Sequence, residues 1–269
     1  MRGRLIIALI VAAFSLFGYF GSRQFNPITG ETQHVRLSAD QEVALGLKAR
    51  PELAAQHGGL SQDARAQARV DRVGERLVAQ SSARDSGYPF QFHLLDDERT
   101  INAFALPGGQ VFITEALYRK LRTDGELAGV LGHEITHVVA RHGSEHLAKA
   151  QLIQGLGGAA VIGTYDPDRP GRSVQNQMLA AAIGQLVNMR FGRDDELESD
   201  RYGVKFMAQA GYDPRSMIRV MEVLASASEG RGKRPEFFST HPNPERRIQR
   251  IKEATQSLFP QGLPEGLER

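Results

Sequence analysis

Two histidines and a glutamate in one short stretch of the chain have the spacing of a metal site. His133 and His137 are four residues apart, so on an α-helix they lie on one face, one turn apart. Two imidazole nitrogens can then reach one ion at roughly 2.0–2.1 Å, the usual zinc–nitrogen distance. Glu134 lies about 100° further round the helix, where it can act on a water but is poorly placed to ligate the ion. The spacing predicts a hydrolytic zinc site with Glu134 as its general base.

The residues that flank this stretch decide between a zinc site and a surface helix that binds nothing. They are apolar at helical spacing: Leu127, Val130, Leu131, Val138 and Val139. This pattern predicts a buried helix. Buried imidazoles and a buried carboxylate need polar partners, and one metal ion satisfies all three side chains. We therefore favour the zinc site.

The third ligand of such a site is expected to be a carboxylate, and residues 193–200 supply the candidates. The sequence there predicts a helix whose apolar face contains Val204, Met207 and Ala208. Glu196 and Asp200 fall on that face, whereas Glu198 falls on the opposite, solvated side. We predict that Glu196 is the third ligand, and that Asp200 accepts a hydrogen bond from a ligand histidine and fixes its tautomer.

The elements that must position these residues are mainly helices, with a few strands just before the zinc helix. Helices are predicted from residue 39 and over about 63–81. The spacing of apolar residues then changes to the alternation that is typical of strands, at 90–95, 101–106 and 110–114. The zinc helix is predicted to begin at Thr123 or Asp124, where Thr123 and Glu126 form a capping box, and to end near Gly143. Two apolar helical segments, at about 146–163 and 174–190, are predicted to follow it.

Composition excludes several classes of protein. The formal net charge is only +2, and basic and acidic residues are mixed along the chain, so we predict no nucleic-acid partner. The chain has no cysteine, which excludes disulfides, thiolate zinc ligands and a lipoprotein cysteine. Any metal must be held by His, Asp or Glu.

The amino terminus has the pattern of an export signal. Arg2 and Arg4 precede an apolar run from Leu5 to Phe20, and no small-x-small cleavage site follows. We predict an uncleaved signal anchor over residues 1–22 in a bacterial inner membrane, with the rest of the chain in the periplasm. The alternative is a cleaved signal peptide and a soluble periplasmic protein. A juxtamembrane segment is predicted at 23–60, the zinc domain at 61–258 and a tail at 259–269.

Four motifs in order give the chain a family resemblance. They are Asn102–Gly109 before the zinc helix, the stretch His133–Gly143, the Glu196-x-x-x-Asp200 motif, and Ser239–Pro242 followed by Arg247 and Ile248. In this order they resemble metallopeptidase family 48, a gluzincin group that includes the CAAX prenyl protease. The resemblance covers about residues 60–255 and is closest to compact members of the bacterial envelope.

The resemblance implies a fold and further site residues. The expected fold is α+β and mainly helical, a zincin-like domain with a small mixed sheet. His241 is expected to stabilise the oxyanion or to take the open zinc position in a latent state, although a His-Pro turn without a catalytic role fits as well. Arg247 is expected to position His241 or an acidic partner. His142 is expected beside the site, with a packed core histidine as the alternative. The edge strand of the sheet is expected to bind substrate through Asn102, Ala103, Phe104 and Ala105.

These expectations combine into a zinc endopeptidase, with one Zn²⁺ per chain, that degrades unfolded or misfolded envelope proteins. One alternative is a chaperone or scaffold that holds unfolded chains on the edge strand without cutting them. A purely structural zinc site would have no use for Glu134 and would be closed by four protein ligands. A zinc enzyme that cuts another substrate, such as a peptidoglycan peptide, is the third possibility.

Overall fold

The computed structural model of the chain describes residues 2–164, 190–229, 235–241 and 247–269. The molecule divides into two compact units, of which one contains residues 1–38 and 141–189 and the other residues 39–140 and 190–269. The domain boundaries predicted at residues 22, 60 and 258 stay a prediction. The second unit contains every predicted site residue except His142.

The described elements alternate helices with short strands, as the sequence predicts. In chain order they are α1 (Arg2–Phe20), β1 (Arg23–Phe25), β2 (Thr32–His34), α2 (Ala39–Gln56), α3 (Ala64–Ala79), a 3₁₀ turn (Ser82–Ser86), β3 (Gln91–Leu95), β4 (Ala103–Leu106), β5 (Gln110–Thr114), α4 (Glu115–Tyr118), α5 (Asp124–Val139), α6 (His142–Thr164), α7 (Arg193–Gln209), α8 (Ser216–Glu229), α9 (Phe237–Thr240) and α10 (Arg247–Leu258).

The first unit combines helices α1 and α6 with the antiparallel pair β1–β2. Helices α1 and α6 approach closely at Gly155, where a Cβ would lie 2.2 Å from Ser15 Oγ. Within the described ranges of the chain, we find no helix whose length and apolar character suffice to cross a membrane. The anchor predicted over residues 1–22 stays a prediction. The helical segment predicted at about 174–190 lies almost wholly outside the described residues.

The second unit contains the small mixed sheet that the resemblance implies. Its order is β3-β5-β4, with β3 parallel and β4 antiparallel to the buried central strand β5. The β4–β5 turn needs glycine at Gly108, whose φ is +81° and where a Cβ would lie 2.3 Å from the Cα of Val43. Strand β4 begins two residues later than predicted. The reason is that the carbonyl oxygen of Ile101 accepts a hydrogen bond from the backbone N–H of Phe237, at 3.1 Å, instead of joining the sheet.

Helix α5 is buried along its length, as its apolar flanks predict. The side chain of Thr123 caps its start by accepting a hydrogen bond from the N–H of Glu126. The capping box is only half formed, because the Glu126 carboxylate accepts from the N–H of Arg122. The predicted end near Gly143 is wrong. Helix α5 ends at Val139, because the backbone turns left-handed at Arg141, with φ of +57°.

Two glycines let α5 and α7 cross closely beside the predicted ligands. A Cβ at Gly203 would lie 3.2 Å from the backbone nitrogen of His133, and a Cβ at Gly132 would lie 3.4 Å from the carbonyl oxygen of Gly203. Asp200 and Glu196 lie one and two turns before Gly203 on the same helix face. The close crossing therefore brings both carboxylates to the histidines of α5.

Candidate metal centre

Four buried side chains converge between α5, α7 and the end of α9. Each offers one ligand atom, and these atoms all lie within 4.8 Å of one another. We call these four the ligand cluster: His133, His137, Glu196 and His241. The structure thus brings together the three predicted ligands and adds His241, for which the sequence left open whether it reaches the metal.

The spacing of the ligand cluster fits one tetrahedral ion. The Nε2 atoms of His133 and His137 are 3.1 Å apart, and His133 Nε2 lies 3.3 Å from His241 Nδ1. The Oε1 atom of Glu196 lies 3.0 Å from His241 Nδ1 and 3.6 Å from His137 Nε2. Two ligand atoms that are each 2.0–2.1 Å from a tetrahedral ion are about 3.3–3.4 Å apart, so these four distances are compatible with a tetrahedral metal site.

Buried polar atoms without partners also point to a ligand. In the part of the chain that the structure describes, neither carboxylate oxygen of Glu134 has a hydrogen-bond partner, and nor does Nε2 of His241. Glu134 Oε1 and His241 Nε2 face each other at 3.6 Å, too far for a hydrogen bond. Buried polar groups are seldom left unpaired, so the residues present fit an ion and a polar substrate group.

A second layer of charged side chains holds the ligands in place. Asp200 Oδ1 lies 3.0 Å from Nδ1 of His133, so a proton on Nδ1 leaves Nε2 free to face the ion. Arg247, only 2% exposed, donates to both oxygens of Asp200, at 2.7 and 2.5 Å. Its Nη1 lies 3.1 Å from Glu196 Oε2. Arg247 is expected to position either His241 or an acidic partner. These contacts favour the second role.

The surroundings of the carboxylates set their charge. Burial alone would raise the pKa of Glu196, but His241 and His133 hold it well below its usual range. Burial likewise opposes ionisation of Asp200, and Arg247 reverses this so that the pKa falls. Burial raises the pKa of Glu134 above its usual value. Glu196 therefore stays anionic and suited to an ion, whereas the raised pKa of Glu134 makes its carboxylate a better proton acceptor than an exposed one.

His133 must lose a proton before it can ligate a metal. Burial alone would lower its pKa, but the carboxylates of Asp200 and Glu196 raise it to about 9. An incoming ion displaces that proton from Nε2, so metal affinity falls as the pH falls.

Two aromatic side chains that sequence reasoning missed enclose the ligand cluster. The ring of Phe191 stacks on His137 at 3.8 Å between centroids, and Phe237 stacks on His241 at 4.5 Å. Both phenylalanines are buried. They fix the planes of the imidazoles and keep water from one side of the site. Phe191 lies just before the acidic motif in the sequence, and Phe237 lies just before Ser239–His241. Only this proximity in sequence could have indicated them.

The remaining predicted site residues lie at three kinds of position. His142 is the first residue of α6, in the first compact unit, and is buried. Strand β4 pairs only with β5 among the described strands and is the expected edge strand. Ala103 is buried, whereas Phe104 and Ala105 are partly exposed. Asn102 is buried, and its Oδ1 has no hydrogen-bond partner in the described residues.

Asp200→Asn is expected to weaken zinc binding by about 10–100-fold, because it removes the anionic acceptor that orients His133. Competition with a chromogenic chelator measures the affinity directly. Asp194→Asn, an exposed position on the same helix, is the matched control and should bind zinc like the parent protein. Equal affinities in the two variants would remove Asp200 from the supporting network.

Comparison with known proteins places this site in a family. The model described as peptidase family M48 matches residues 64–255. Beta-barrel assembly-enhancing protease of Yersinia pestis is 31% identical over 260 residues, which cover 95% of this chain and 52% of that protein. The Escherichia coli K12 protein of the same name is 31% identical over 196 residues, 71% of this chain and 39% of that one. Mitochondrial metalloendopeptidase OMA1 of Schizosaccharomyces pombe is 29% identical over 254 residues, 94% of this chain and 72% of that one.

The match bears out the resemblance that the motifs indicate. The chain spans about half or less of the length of these two bacterial relatives. The matched region nevertheless contains the whole ligand cluster together with Glu134, Asp200 and Arg247. Both kinds of relative are named as proteases, which supports the assignment of this chain as a metalloprotease. The chain belongs to peptidase family M48, a family of metal-dependent peptidases.

Proposed function

We propose that the chain is a zinc-dependent endopeptidase that hydrolyses peptide bonds of unfolded or misfolded envelope proteins. The observation that carries this proposal is Glu134, fully buried beside the ligand cluster with neither carboxylate oxygen hydrogen-bonded in the described residues. A structural metal site has no need of such a group. A hydrolytic site needs a base at this position.

In the proposed mechanism, His133, His137 and Glu196 hold one zinc ion. When bound, zinc supplies Lewis-acid chemistry, which polarises the scissile carbonyl and makes water a better nucleophile. Glu134 takes a proton from the attacking water on a carboxylate oxygen and later gives it to the leaving amine nitrogen. Burial raises the pKa of Glu134, which makes its carboxylate a stronger base for the first transfer.

Substrate is proposed to bind as an added strand along β4. Main-chain hydrogen bonds to an edge strand give affinity without strict sequence demands, which suits a protease of unfolded chains. The side chain of Asn102 lies at the start of this strand with its Oδ1 unpaired in the described residues, and it can accept an N–H of the bound peptide.

The envelope location rests on two supports. The charged residues Arg2 and Arg4 followed by the apolar run Leu5–Phe20 have the pattern of an export signal. The relative from Yersinia pestis is named for β-barrel assembly. We therefore propose that the catalytic residues act in the periplasm.

A second candidate function, a non-cleaving chaperone, follows from the position of His241. Its Nδ1 lies within the ligand cluster, so that four protein side chains surround the site. Four protein ligands are typical of a structural zinc site, whereas a catalytic site keeps one position open. For the peptidase, this arrangement of His241 corresponds to the latent state expected from the resemblance, which substrate must open.

Incubation of the zinc-loaded full chain with casein separates these candidates. The peptidase is expected to cleave casein at about one zinc per chain, to stop when a chelator removes the metal, and to recover when zinc is returned. If casein stays intact at full zinc content and the protein suppresses aggregation of an unfolded client, the chaperone function would be favoured over the peptidase function. Activity that survives complete metal removal would contradict both.

A further inference from the structure

A groove with a basic lining lies on the second unit, beside the start of β4. It consists of two adjoining clefts of about 480 and 440 Å³. Both clefts are lined by Arg119, Lys120 and Ser226, which makes them continuous. The first also contains Arg99 and Ile101, and the second contains Arg122. We call this feature the basic groove.

The carboxylates of the basic groove are already engaged. Glu98 forms an ion pair with Arg119 at 2.7 Å, and Glu222 forms one with Arg219. Glu126 accepts a hydrogen bond from the backbone N–H of Arg122. Among the described residues, the lining contains five cations, Arg99, Arg119, Lys120, Arg122 and Arg219, against these three carboxylates, so the groove keeps a net positive charge.

Three of these five cations remain available to bind a ligand. Arg99, Lys120 and Arg122 are exposed, and within the described residues their side chains form no hydrogen bond or ion pair. Exposed cations that outnumber the carboxylates around an open cleft attract an anionic ligand. The floor between them includes the apolar side chain of Ile101, which can pack against the stem of an acidic side chain.

The basic groove connects directly to the metal centre through Ile101. The carbonyl oxygen of Ile101 accepts a hydrogen bond from Phe237 N–H, and the Phe237 ring stacks on His241. Ile101 also leads into the edge-strand residues 102–105. Because Ile101 also lines the groove, the groove adjoins the start of the proposed substrate strand.

We propose that the basic groove binds an acidic side chain of the polypeptide substrate, and so gives the enzyme a preference for Asp or Glu at one position flanking the cleaved bond. The groove is thus a specificity subsite that extends the edge strand. This inference rests on the proposed peptidase function. It concerns residues that neither hold the metal nor move a proton.

The kinetic test uses a set of peptides that share one cleavage site and carry Asp, Asn or Lys at each flanking position in turn. For the wild type, kcat/KM at the responsive position should be about two- to tenfold higher with Asp than with Asn, the range expected for one or two exposed ion pairs. The double variant Lys120→Gln/Arg122→Gln should lose this preference and cleave the Asn peptide unchanged. The matched control Arg65→Gln/Lys252→Gln removes the same charge from exposed positions outside the groove and should keep the preference.

A binding test separates failure of the groove from failure of the peptidase. The labelled Asp peptide is titrated into Glu134→Gln protein, with and without the two groove substitutions, at rising NaCl concentration. The groove predicts tighter binding for the Asp peptide than for the Asn peptide, and loss of this difference in the double variant and at high salt. Equal binding of both peptides would overturn the groove, whether or not casein is cleaved. Intact casein together with a clear Asp preference in binding would instead overturn the peptidase alone.

Discussion

Glu134→Gln is expected to keep its zinc and to lose hydrolysis of casein by at least about 10²–10⁴-fold, the usual contribution of a general base. Glutamine has nearly the same shape, and Glu134 is not part of the ligand cluster, so the metal site should remain intact. The amide cannot take a proton from water near neutral pH. Zinc content and initial rates measured on the same preparation give both halves of the result.

The control for this variant is Glu75→Gln, an exposed glutamate on α3, which should match the wild type in rate and zinc content. A Glu134→Gln protein that is fully active would refute the assignment of the base. A variant that lost zinc as well would show that Glu134 supports the metal instead of the proton transfer.

Glu196→Gln is expected to lose zinc itself, by more than the 10–100-fold that is typical when a residue supporting a ligand is changed. Glu196 supplies the only carboxylate of the ligand cluster, and a neutral amide is a much weaker ligand for zinc. The substitution also takes a negative charge from the buried guanidinium of Arg247, which lies 3.1 Å from Glu196 Oε2. Chelator competition measures the affinity, and thermal unfolding of the metal-free proteins measures any loss of fold.

Asp194→Asn on the same helix serves again as the control. Unchanged zinc affinity in Glu196→Gln would move the third ligand elsewhere. If the variant unfolds, Glu196→Asp keeps the charge that faces Arg247 but shortens the reach of the carboxylate. Weakened zinc binding by a folded Glu196→Asp protein would then support Glu196 as the third ligand.

The parts of the site that follow from helical geometry could be predicted from the sequence. His133 and His137 are four residues apart on a helix with apolar flanks, and this local pattern fixes their common face. Helical spacing likewise predicts that Glu196 and Asp200 lie on the buried face of a second helix. The sequence could not give the crossing of the two helices, but Gly132 and Gly203 are the residues that permit it.

The parts that depend on contacts distant in sequence could not be predicted. His241 reaches the ligand cluster from a segment more than 100 positions beyond His133, and no local period signals this. The stacking of Phe191 on His137 has the same origin. The early end of α5 depends on a left-handed backbone at Arg141, a conformation that arginine seldom adopts. The later start of β4 depends on the hydrogen bond between Ile101 and Phe237.

The ligand cluster joins two segments of the second unit that residues 141–189 separate in the sequence. An ion bound there cross-links the two segments. The unfolded chain has no such metal site, because the ligand residues are then far apart. Zinc at one hundred times its dissociation constant would add about 2.7 kcal/mol to the free energy of unfolding. We therefore expect the lifetime of the protein in the cell to follow the supply of zinc, with a chain that fails to acquire its metal becoming a preferred substrate for other proteases.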